Sequence, residues 1–568
     1  RPFISVAEFI KPAVIFNKRL HGGEHSILIR AGQVLERSKG YRADTAATNY
    51  YPGSAQKLLV RYKYQFGNLL QYGVTGEKDA GEQFFKGRQK QGFDFYSVHF
   101  FARHINNIKA IALGDFTVNL GQGLVQWQSL AFKKSGEVMN IKREGPVLRP
   151  YNSPGEINFH RGAGITIGKK NWDASLFVSY KNIDANAVAD TSQTHEDFIS
   201  SLQTSGYHRT NRELNDKSIQ KQLALGGNLL LQFKKLQLGI NGIQYKFKLP
   251  FSKPAYPYNL YALTGKSFGN YSIDYSYTFK NVHLFGEAAI TGDLKKALIS
   301  GILLSTATDV DAGILYRNIS AGYQSLYSSA FTENTYPNNE KGLYAGVTIH
   351  PALWQIDAYA DVYKFPWLKY RVNMPSSGAG YLLQVTFKPN KQVEIYSRLR
   401  SEKSDINTNP NGLALAAVMA QVKQSWRTQF NYRLNKQVEI TTRAEILQFN
   451  HGALDAEQGF LIWCSLFYKP ALKTWTANMR WQYFETDGYN SRIYGYENDV
   501  LYGFSIPAIY YKGIRYYINV NYDFNKKWSF WMKWSQTIYK NKTLIGSGLD
   551  EINGGKKTEV RVQLMYKF

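Results

Sequence analysis

The sequence of 568 residues contains a single cysteine and few acidic residues, with 43 Asp and Glu against 69 Lys and Arg. One cysteine allows neither an intramolecular disulfide nor a cysteine-based metal site. Cys464 lies in an alternating run with Phe460, Ile462 and Leu466, where we expect a small apolar packing residue. Long apolar runs are missing too, since none approaches the roughly 18 consecutive residues that a membrane-spanning helix needs. A helical membrane protein is therefore excluded.

The chain also lacks the marks of a disordered protein and of a secretion signal. Hydrophobic residues make up 44% of the sequence, which is too many for a disordered chain. The sequence opens at Arg1 without a Met or an apolar signal segment, and we interpret this start as a mature or truncated N-terminus. The remaining possibility is an all-β chain, either soluble or built as a membrane barrel.

Alternation of apolar and polar residues with a period of two is the dominant pattern, and it places successive side chains on opposite faces of a strand. In residues 425–446, two such runs are separated only by Asn435-Lys436, which predicts a hairpin with one apolar and one charged face. The runs 57–66 and 514–524 follow the same pattern. Segments of this kind recur along the chain, about 24 to 26 in all, which is within the range of large single-chain barrels.

The connections between these segments are of two lengths. Several are very short turns, and the others are long polar loops at 37–56, 77–92, 119–157, 184–221, 319–340, 402–424 and 540–557. Short turns on one rim and long loops on the other are typical of outer-membrane barrels. This topology requires an odd number of crossings between 486 and 527, where the pattern shows two segments, 500–511 and 514–524. Because Pro507 cannot donate to a sheet ladder, either 500–511 is not a simple strand or a weak strand lies in 487–499.

Aromatic residues decide between a soluble sandwich and a membrane barrel. They make up 15% of the sequence and lie near strand ends, whereas the packed face of a sandwich is rich in Val, Leu and Ile. Aromatic girdles at both interfaces characterise a transmembrane barrel. The final strand alternates and ends on an aromatic residue, which resembles the signal by which insertion machinery recognises such barrels. The residues of this membrane-insertion signal are Val560, Val562, Leu564, Tyr566 and Phe568.

We therefore predict an all-β fold, namely a single transmembrane antiparallel β-barrel with short periplasmic turns and long extracellular loops. It is expected to lie in the outer membrane of a Gram-negative cell and to span residues 26–568, with residues 1–25 forming a periplasmic segment or a plug element. A barrel of this strand number is wide enough to need a plug or inward-folded loops. The segments 119–157 and 184–221 are further candidates for that role.

Several long strings of residues point to a family of relatives. They are residues 77–85, 92–97, 113–116, 121–124, 205–209 and 365–371. They resemble large outer-membrane barrels of Bacteroidota that are usually described by an amino-terminal helix-hairpin-helix, competence-protein-like domain. That domain needs an apolar helical repeat around a Gly-rich turn that offers amides to phosphate. Residues 1–25 contain only Gly22-Gly23, so the resemblance implies a barrel but does not transfer nucleic-acid binding.

Arg and Lys recur on the strand face opposite the apolar stripe, and the net charge is +26. If the apolar stripe faces lipid, these residues line the lumen and attract anions. A plain alternative is that a wide barrel needs a solvated interior with carboxylates interleaved, while rim residues meet lipopolysaccharide phosphates. The basic lumen candidates are Arg61, Lys63, Arg398, Arg400, Arg427, Arg433, Arg443, Arg480, Arg515 and Arg561.

Two loops combine basic and aromatic residues in the way that nucleic-acid sites do. One is the loop 207–212, and the other contains Lys133, Lys134, Lys142, Arg143, Arg149 and Tyr151. Such combinations of basic and aromatic residues also arise by chance in a chain with 41 Tyr. The string Gly121-Gln122-Gly123 is too short for a phosphate fingerprint, and we expect a strand bend or tight loop there.

No catalytic or metal-binding constellation emerges from the sequence. His21 and His25 bracket Glu24 without a third ligand, and we expect solvated residues there. Asp357 and Asp361 share a strand face, which a solvated lumen wall explains better than acid–base chemistry does. We therefore expect no enzyme activity, no cofactor and no metal.

These patterns favour a channel or transport component that passes or gates an anionic or polymeric substrate through a basic lumen, with DNA uptake as the substrate that the family suggests. The alternative is a non-catalytic structural or accessory subunit of a multiprotein outer-membrane complex, and a hydrolase carried by the barrel is a third hypothesis. Expected partners are outer-membrane lipid, lipopolysaccharide, the outer-membrane assembly machinery and other envelope proteins, with nucleic acid as a further candidate.

Overall fold

The computed structural model describes residues 16–42, 49–188, 197–408, 416–452 and 455–568. Within these ranges the chain forms a closed antiparallel barrel of 24 long strands, which confirms the predicted fold class. In chain order, β1 to β24 are Glu24–Val34, Lys57–Phe66, Leu70–Lys78, Phe95–Ile105, Ile108–Leu120, His160–Lys169, Trp172–Ile183, Gln220–Gln232, Leu236–Phe251, Gly265–Phe279, Val282–Thr291, Lys296–Ala307, Val310–Ile319, Glu340–Ile349, Trp354–Phe365, Ser376–Phe387, Val393–Asn407, Val418–Arg433, Val438–His451, Glu457–Tyr468, Trp475–Thr486, Lys512–Asp523, Trp528–Tyr539 and Lys556–Lys567.

Regular structure outside the barrel wall is sparse. The helices are α1, Phe16–His21, and α2, Asn211–Asp216, together with single 3₁₀ turns at Lys39–Tyr41, Pro257–Asn259 and Gly548–Asp550. Short strands within loops are Gln126–Trp127, Leu148–Pro150, Ala185–Val188, Phe198–Leu202, Ile493–Tyr494, Ala508–Ile509, Leu544–Ile545 and Ile552–Asn553. In the part of the chain that is described, no helix has the length and apolar content to cross a bilayer.

The two ends of the chain close the barrel. Strand β1 pairs with β24 from Ser26 opposite Lys567 to Val34 opposite Glu559. Beyond this ladder, His25 and Phe568 exchange two backbone hydrogen bonds of 3.1 Å, and their rings stack with centroids 5.0 Å apart. The terminal aromatic residue therefore seals the seam between the first and last strands.

The segment 487–511 corrects one strand assignment. Residues 500–511 do not form a barrel strand; they belong to a long loop in which Ile493–Tyr494 pairs with Ala508–Ile509. Only β22, Lys512–Asp523, crosses the membrane here, and it pairs directly with β21. The odd number of crossings is thereby satisfied. The predicted loop 402–424 is also shorter, because β17 and β18 extend to Asn407 and from Val418.

The outward face of the wall is apolar and exposed. Ile273, Leu176 and Leu399 have 59%, 66% and 53% of their surface exposed, and Trp426 has 52%. Cys464, which we predicted to be a small apolar residue of the alternating run, is exposed on this face as well. An apolar band around a closed antiparallel barrel is the lipid-facing surface of an outer-membrane protein. The protein is therefore an integral outer-membrane β-barrel.

The described part of the N-terminal segment lies against the outside of the wall, at the rim with the short turns. Arg19 of α1 donates to the carbonyl oxygens of Arg103 and His104, at 2.6 and 2.8 Å, near the C-terminal end of β4. Tyr64 of β2 donates to the carbonyl of Arg19. Strand β1 begins at Glu24, two residues before the predicted start of the barrel. Residues 1–15, part of the predicted plug element, lie outside the described residues.

Candidate functional site

Among the described residues, three loops fold into the interior of the barrel, namely 121–159, 320–339 and 487–511. The first runs from β5 across the inward faces of β10 to β17. Tyr344 of β14 donates a hydrogen bond of 2.8 Å to the carbonyl of Val138, and Lys134 lies 3.2 Å from a carboxylate oxygen of Asp361 on β15. The predicted segment 119–157 is therefore folded into the barrel.

A sharp turn at 121–124 begins this crossing. The backbone N–H groups of Gln122 and Leu124 donate to one carboxylate oxygen of Glu287 on β11, at 2.7 and 3.0 Å. Gly121 has φ 52° and Gly123 has φ 85°, a region that glycine enters without strain. A Cβ at Gly121 would lie 2.6 Å from the Glu287 carboxyl carbon. The turn matches the tight loop that we predicted, and the anion that its amides hold is a carboxylate of the protein itself.

Apolar residues of the loops 121–159 and 320–339 form a core inside the barrel. These residues pack against inward side chains of β9 to β16 and exclude water from that part of the lumen. The core includes Leu124, Val125, Val138, Ile141, Tyr323, Tyr327, Phe331, Tyr245, Phe285, Ile299, Leu315, Tyr344 and Leu382. Moving the loops would expose this contiguous cluster to water, so the cluster holds them in place.

The loop 487–511 is held to the opposite part of the wall by charge. Both carboxylate oxygens of Glu497 accept from Arg515 of β22, at 2.6 and 2.9 Å, and one also accepts from Lys533 of β23 at 3.1 Å. Asp499 pairs with Arg561 of β24. All three basic residues belong to the wall and both acids belong to the loop. The charges therefore act as two anchors between loop and wall.

The structure places all ten predicted basic residues on the inward face and divides them into two sets. Five have a carboxylate partner: Arg400 with Glu402, Arg427 with Glu445, Arg433 with Glu439, Arg515 with Glu497, and Arg561 with Asp499. The other five have no ion pair within the described ranges of the chain, and they are Arg61, Lys63, Arg398, Arg443 and Arg480. Only the second set carries charge that the barrel itself does not compensate.

Arg443 and Arg480 line a lumen cavity of about 480 Å³ between the wall and the loop 487–511. Arg443 uses Nε and Nη2 to donate to the side-chain oxygen of Gln429, at 2.9 and 2.6 Å. Arg480 donates from Nε to Ser465 and from Nη1 to the carbonyl of Tyr496, both at 2.6 Å. Each guanidinium keeps one terminal nitrogen without an acceptor among the described residues. The cavity is lined by Gln429, Asn431, Glu439, Thr441, Arg443, Trp463, Ser465, Phe467, Asn478, Arg480, Tyr496 and Asn498.

The basic residues considered for nucleic acid are engaged inside the protein. Lys133 donates to the carbonyl of Asn334, and Lys134 pairs with Glu333 at 2.6 Å. Lys142, Arg143 and Arg149 donate to Ser276, to the carbonyl of Ser329 and to Ser129, respectively. In the loop 207–212, Arg209 donates to Asp550 at 3.3 Å and lies over the Tyr207 ring. These contacts hold loops together, whereas Arg149 and Arg212 are exposed.

Asp357 and Asp361 are not solvated, which corrects the prediction for this pair. They are 2% and 0% exposed. Asp357 accepts from Thr348 at 2.8 Å, whereas Asp361 accepts from Arg317 at 3.0 Å. The two carboxylates therefore serve separate structural contacts beneath the loop 121–159, because the loop covers a wall that the sequence alone presents as open.

A second cluster, missed in the sequence, joins the extracellular loops around His208. Its Nδ1 lies 2.5 Å from a carboxylate oxygen of Asp94, and its Nε2 lies 2.9 Å from Asp184. Lys217 also pairs with Asp94 at 2.8 Å. Burial alone lowers the pKa of His208, but its hydrogen bonds to Asp184 and Asp94 outweigh burial and raise the pKa to about 10. The imidazolium thus ties segment 79–94 to segment 197–219. No local motif reveals it, since the residues lie far apart in sequence.

Replacing His208 with Gln is expected to loosen both loop segments at pH 7. Breaking a buried ion pair costs about 3 kcal/mol or more, which corresponds to roughly 100-fold faster hydrogen exchange in 79–94 and 197–219. Because the folded pKa of about 10 lies above the ordinary 6.5, this stabilisation is complete below pH 6.5 and lost as the pH rises through 10. The ratio of exchange rates between variant and parent should therefore approach one near pH 10. His350→Gln, in an exposed turn, is the control and should change neither segment.

Comparisons with known proteins give distant likenesses of fold. No protein-family model and no curated protein matches the sequence. The chain is similar to the siderophore receptor PirA from Acinetobacter baumannii, with a TM-score of 0.46 and 8% identity over 96% of this chain and 80% of that chain. The P pilus usher PapC translocation pore gives a TM-score of 0.34 and 8% identity over 96% of this chain and 99% of that one.

A third solved structure, OmpT of Vibrio cholerae, has a TM-score of 0.29 and 11% identity over 60% of this chain and 100% of that one. The membrane assignment rests on the barrel itself. Fold and interior together define an outer-membrane β-barrel whose lumen holds its own loops and a set of uncompensated arginines.

Proposed function

We propose that the protein is a transport barrel that passes an anionic substrate and is gated by its inward-folded loops. The observation that carries the proposal is the cavity in which Arg443 and Arg480 face the lumen without a carboxylate partner. Uncompensated positive charge in a narrow aqueous space concentrates anions and lowers their barrier to entry. The five arginines that pair with carboxylates are enough to keep the wall solvated, so solvation alone does not explain why Arg443 and Arg480 have no such partner.

The two kinds of loop attachment suggest which loop moves. The loop 121–159 is fixed by a large apolar core, and its displacement would expose that core to water. The loop 487–511 carries a smaller apolar cluster with Ile493 and Ile509, and it is anchored through Glu497 and Asp499. Charged groups regain hydration when their pair separates into water, whereas an exposed apolar core does not. We infer that 487–511 is the gate and that 121–159 is a permanent part of the lumen.

Efflux from proteoliposomes tests this function. Vesicles containing the purified barrel should release a trapped small anion faster than a trapped cation of similar size, and protein-free vesicles should release neither. Absence of efflux, together with stoichiometric co-purification of other envelope proteins, would favour the alternative of a non-catalytic structural or accessory subunit.

The remaining sequence predictions are part of this proposal. Membership of the Bacteroidota helix-hairpin-helix family, contact with lipopolysaccharide and recognition of residues 560–568 by the assembly machinery are expectations that fit an outer-membrane barrel. DNA uptake has the least support, because the basic loop residues are used in internal contacts. The protein is proposed to act without catalysis.

A further inference from the structure

The cavity beside Arg443 and Arg480 has the chemistry of a specific binding site as well as that of a charged passage. Its volume of about 480 Å³ lies in the range of small-molecule pockets, roughly 300 to 1,000 Å³. The free terminal nitrogens are Nη1 of Arg443 and Nη2 of Arg480, since the other nitrogens of both groups have acceptors. Planar guanidinium groups with free donors favour carboxylate and phosphate ligands.

Both guanidinium groups are held in place by one buried ring. The Cζ of Arg480 lies 3.8 Å from the centre of the Trp463 ring, and the Cζ of Arg443 lies 5.0 Å from it. Trp463 is 3% exposed. A side chain packed over an aromatic face loses little entropy when it binds, so the pair is preorganised for an anion.

The ring nitrogen of Trp463 has no hydrogen-bond partner in the described structure. A buried indole N–H in a native protein is normally paired, and an orphan beside a polar cavity is satisfied when a ligand oxygen or an ordered water reaches it. Trp463 lines the cavity together with the two arginines.

The rest of the lining fits a polyhydroxylated molecule. Four side-chain amides line the cavity, and although three of them already make contacts within the wall, each amide nitrogen retains a second N–H. Two hydroxyl side chains add to them, and two further aromatic rings offer flat apolar surface. They are Gln429, Asn431, Asn478, Asn498, Thr441, Ser465, Phe467 and Tyr496. The second N–H of an amide nitrogen donates to a ligand hydroxyl. Glu439 is the one carboxylate in the lining, and it pairs with Arg433 at 3.5 Å.

We propose that this cavity binds an acidic sugar, with its anionic group on Arg443 and Arg480 and its hydroxyls on the surrounding amides. The proposal rests on the transport function above and names its substrate class. The negative group is a carboxylate or a phosphate, which two probes distinguish.

Calorimetric titration of the full-length barrel in detergent tests the site. Glucuronate, glucose 6-phosphate and glucose are the probes, and tighter binding of one acidic sugar identifies the carboxylate or the phosphate as the preferred anion. We expect at least one acidic sugar to bind roughly 10-fold or more tightly than glucose, the effect of a charge-assisted contact. The double variant Arg443→Gln/Arg480→Gln should lose that preference. Arg88→Gln, on an exposed extracellular loop, should keep it.

Three results would overturn the inference: equal binding of acidic sugars and glucose, binding of inorganic phosphate as tight as that of glucose 6-phosphate, or an unchanged preference in the double variant. The comparison of probes uses the unmodified protein, so it stands even if the variant fails to fold. Efflux assays run in parallel separate the two proposals. Anion efflux without a preference for acidic sugars would reject the sugar site and leave the transport function intact. Absence of both anion efflux and sugar preference would reject both proposals.

Discussion

Replacing Glu497 with Gln and Asp499 with Asn should open the barrel. The two substitutions remove both acidic anchors of the loop 487–511 while keeping side-chain size. A hydrogen bond to a charged group contributes about 1.5 to 3 kcal/mol, so loss of the anchors should raise the open fraction roughly 10-fold or more. Single-channel recording in planar bilayers measures this fraction directly as the frequency and duration of open events.

The matched control carries the same change of charge at the rim. Glu485 pairs with Lys512 at the extracellular end of the wall, and Asp487 accepts the backbone N–H of Gln458 at 2.7 Å. Glu485→Gln/Asp487→Asn therefore removes one Glu and one Asp that do not anchor the loop inside the lumen. If this control opens as often as the Glu497/Asp499 variant, the effect comes from net charge and the gating role of 487–511 is wrong.

Substituting Arg317 with Met should be the most destabilising single change in the wall. Arg317 is 0% exposed, and it donates to Glu340 at 2.5 Å and to Asp361 at 3.0 Å. Its removal leaves buried carboxylates without their main cation, which costs about 3 to 5 kcal/mol. Urea unfolding followed by the electrophoretic shift between folded and unfolded barrel measures the loss.

A rescue variant separates charge from packing in this test. Arg317→Met combined with Glu340→Gln and Asp361→Asn contains no uncompensated charge at the site, so it should recover most of the lost stability. A triple variant as unstable as Arg317→Met alone would show that shape, and not charge, makes this position sensitive.

The barrel wall could be predicted because lipid-facing and lumen-facing residues alternate along each of its strands. Every strand that crosses the membrane must show apolar side chains to lipid on one face, and this constraint leaves a period of two in runs such as 57–66 and 425–446. The same constraint is absent inside. Glu497 of the inward loop pairs with Arg515 of the wall strand that follows it, and nothing in the sequence marks the pairing.

The misread segment 500–511 shows the limit of the pattern. Its apolar residues include Ile509, which is 3% exposed and packs inside the barrel near Phe484. A lumen-packed loop and a lipid-facing strand both require apolar residues, and composition does not distinguish them. The sequence also gives no way to rank the ten basic residues, because it does not show which of them meet a carboxylate. The structure pairs five of them with carboxylates. Of the others, Arg443 and Arg480 lie together at one cavity without a carboxylate partner among the described residues.

Arg443 and Arg480, which share one cavity, are expected to contribute most to the anion selectivity of the lumen. The most direct test is the reversal potential of open events of the unmodified barrel in a KCl gradient, with and without Arg443→Gln/Arg480→Gln. Preference for chloride is expected in the first protein, and a marked shift toward potassium is expected in the second. Equal reversal potentials for the two proteins, or preference for potassium in the first, would contradict this expectation.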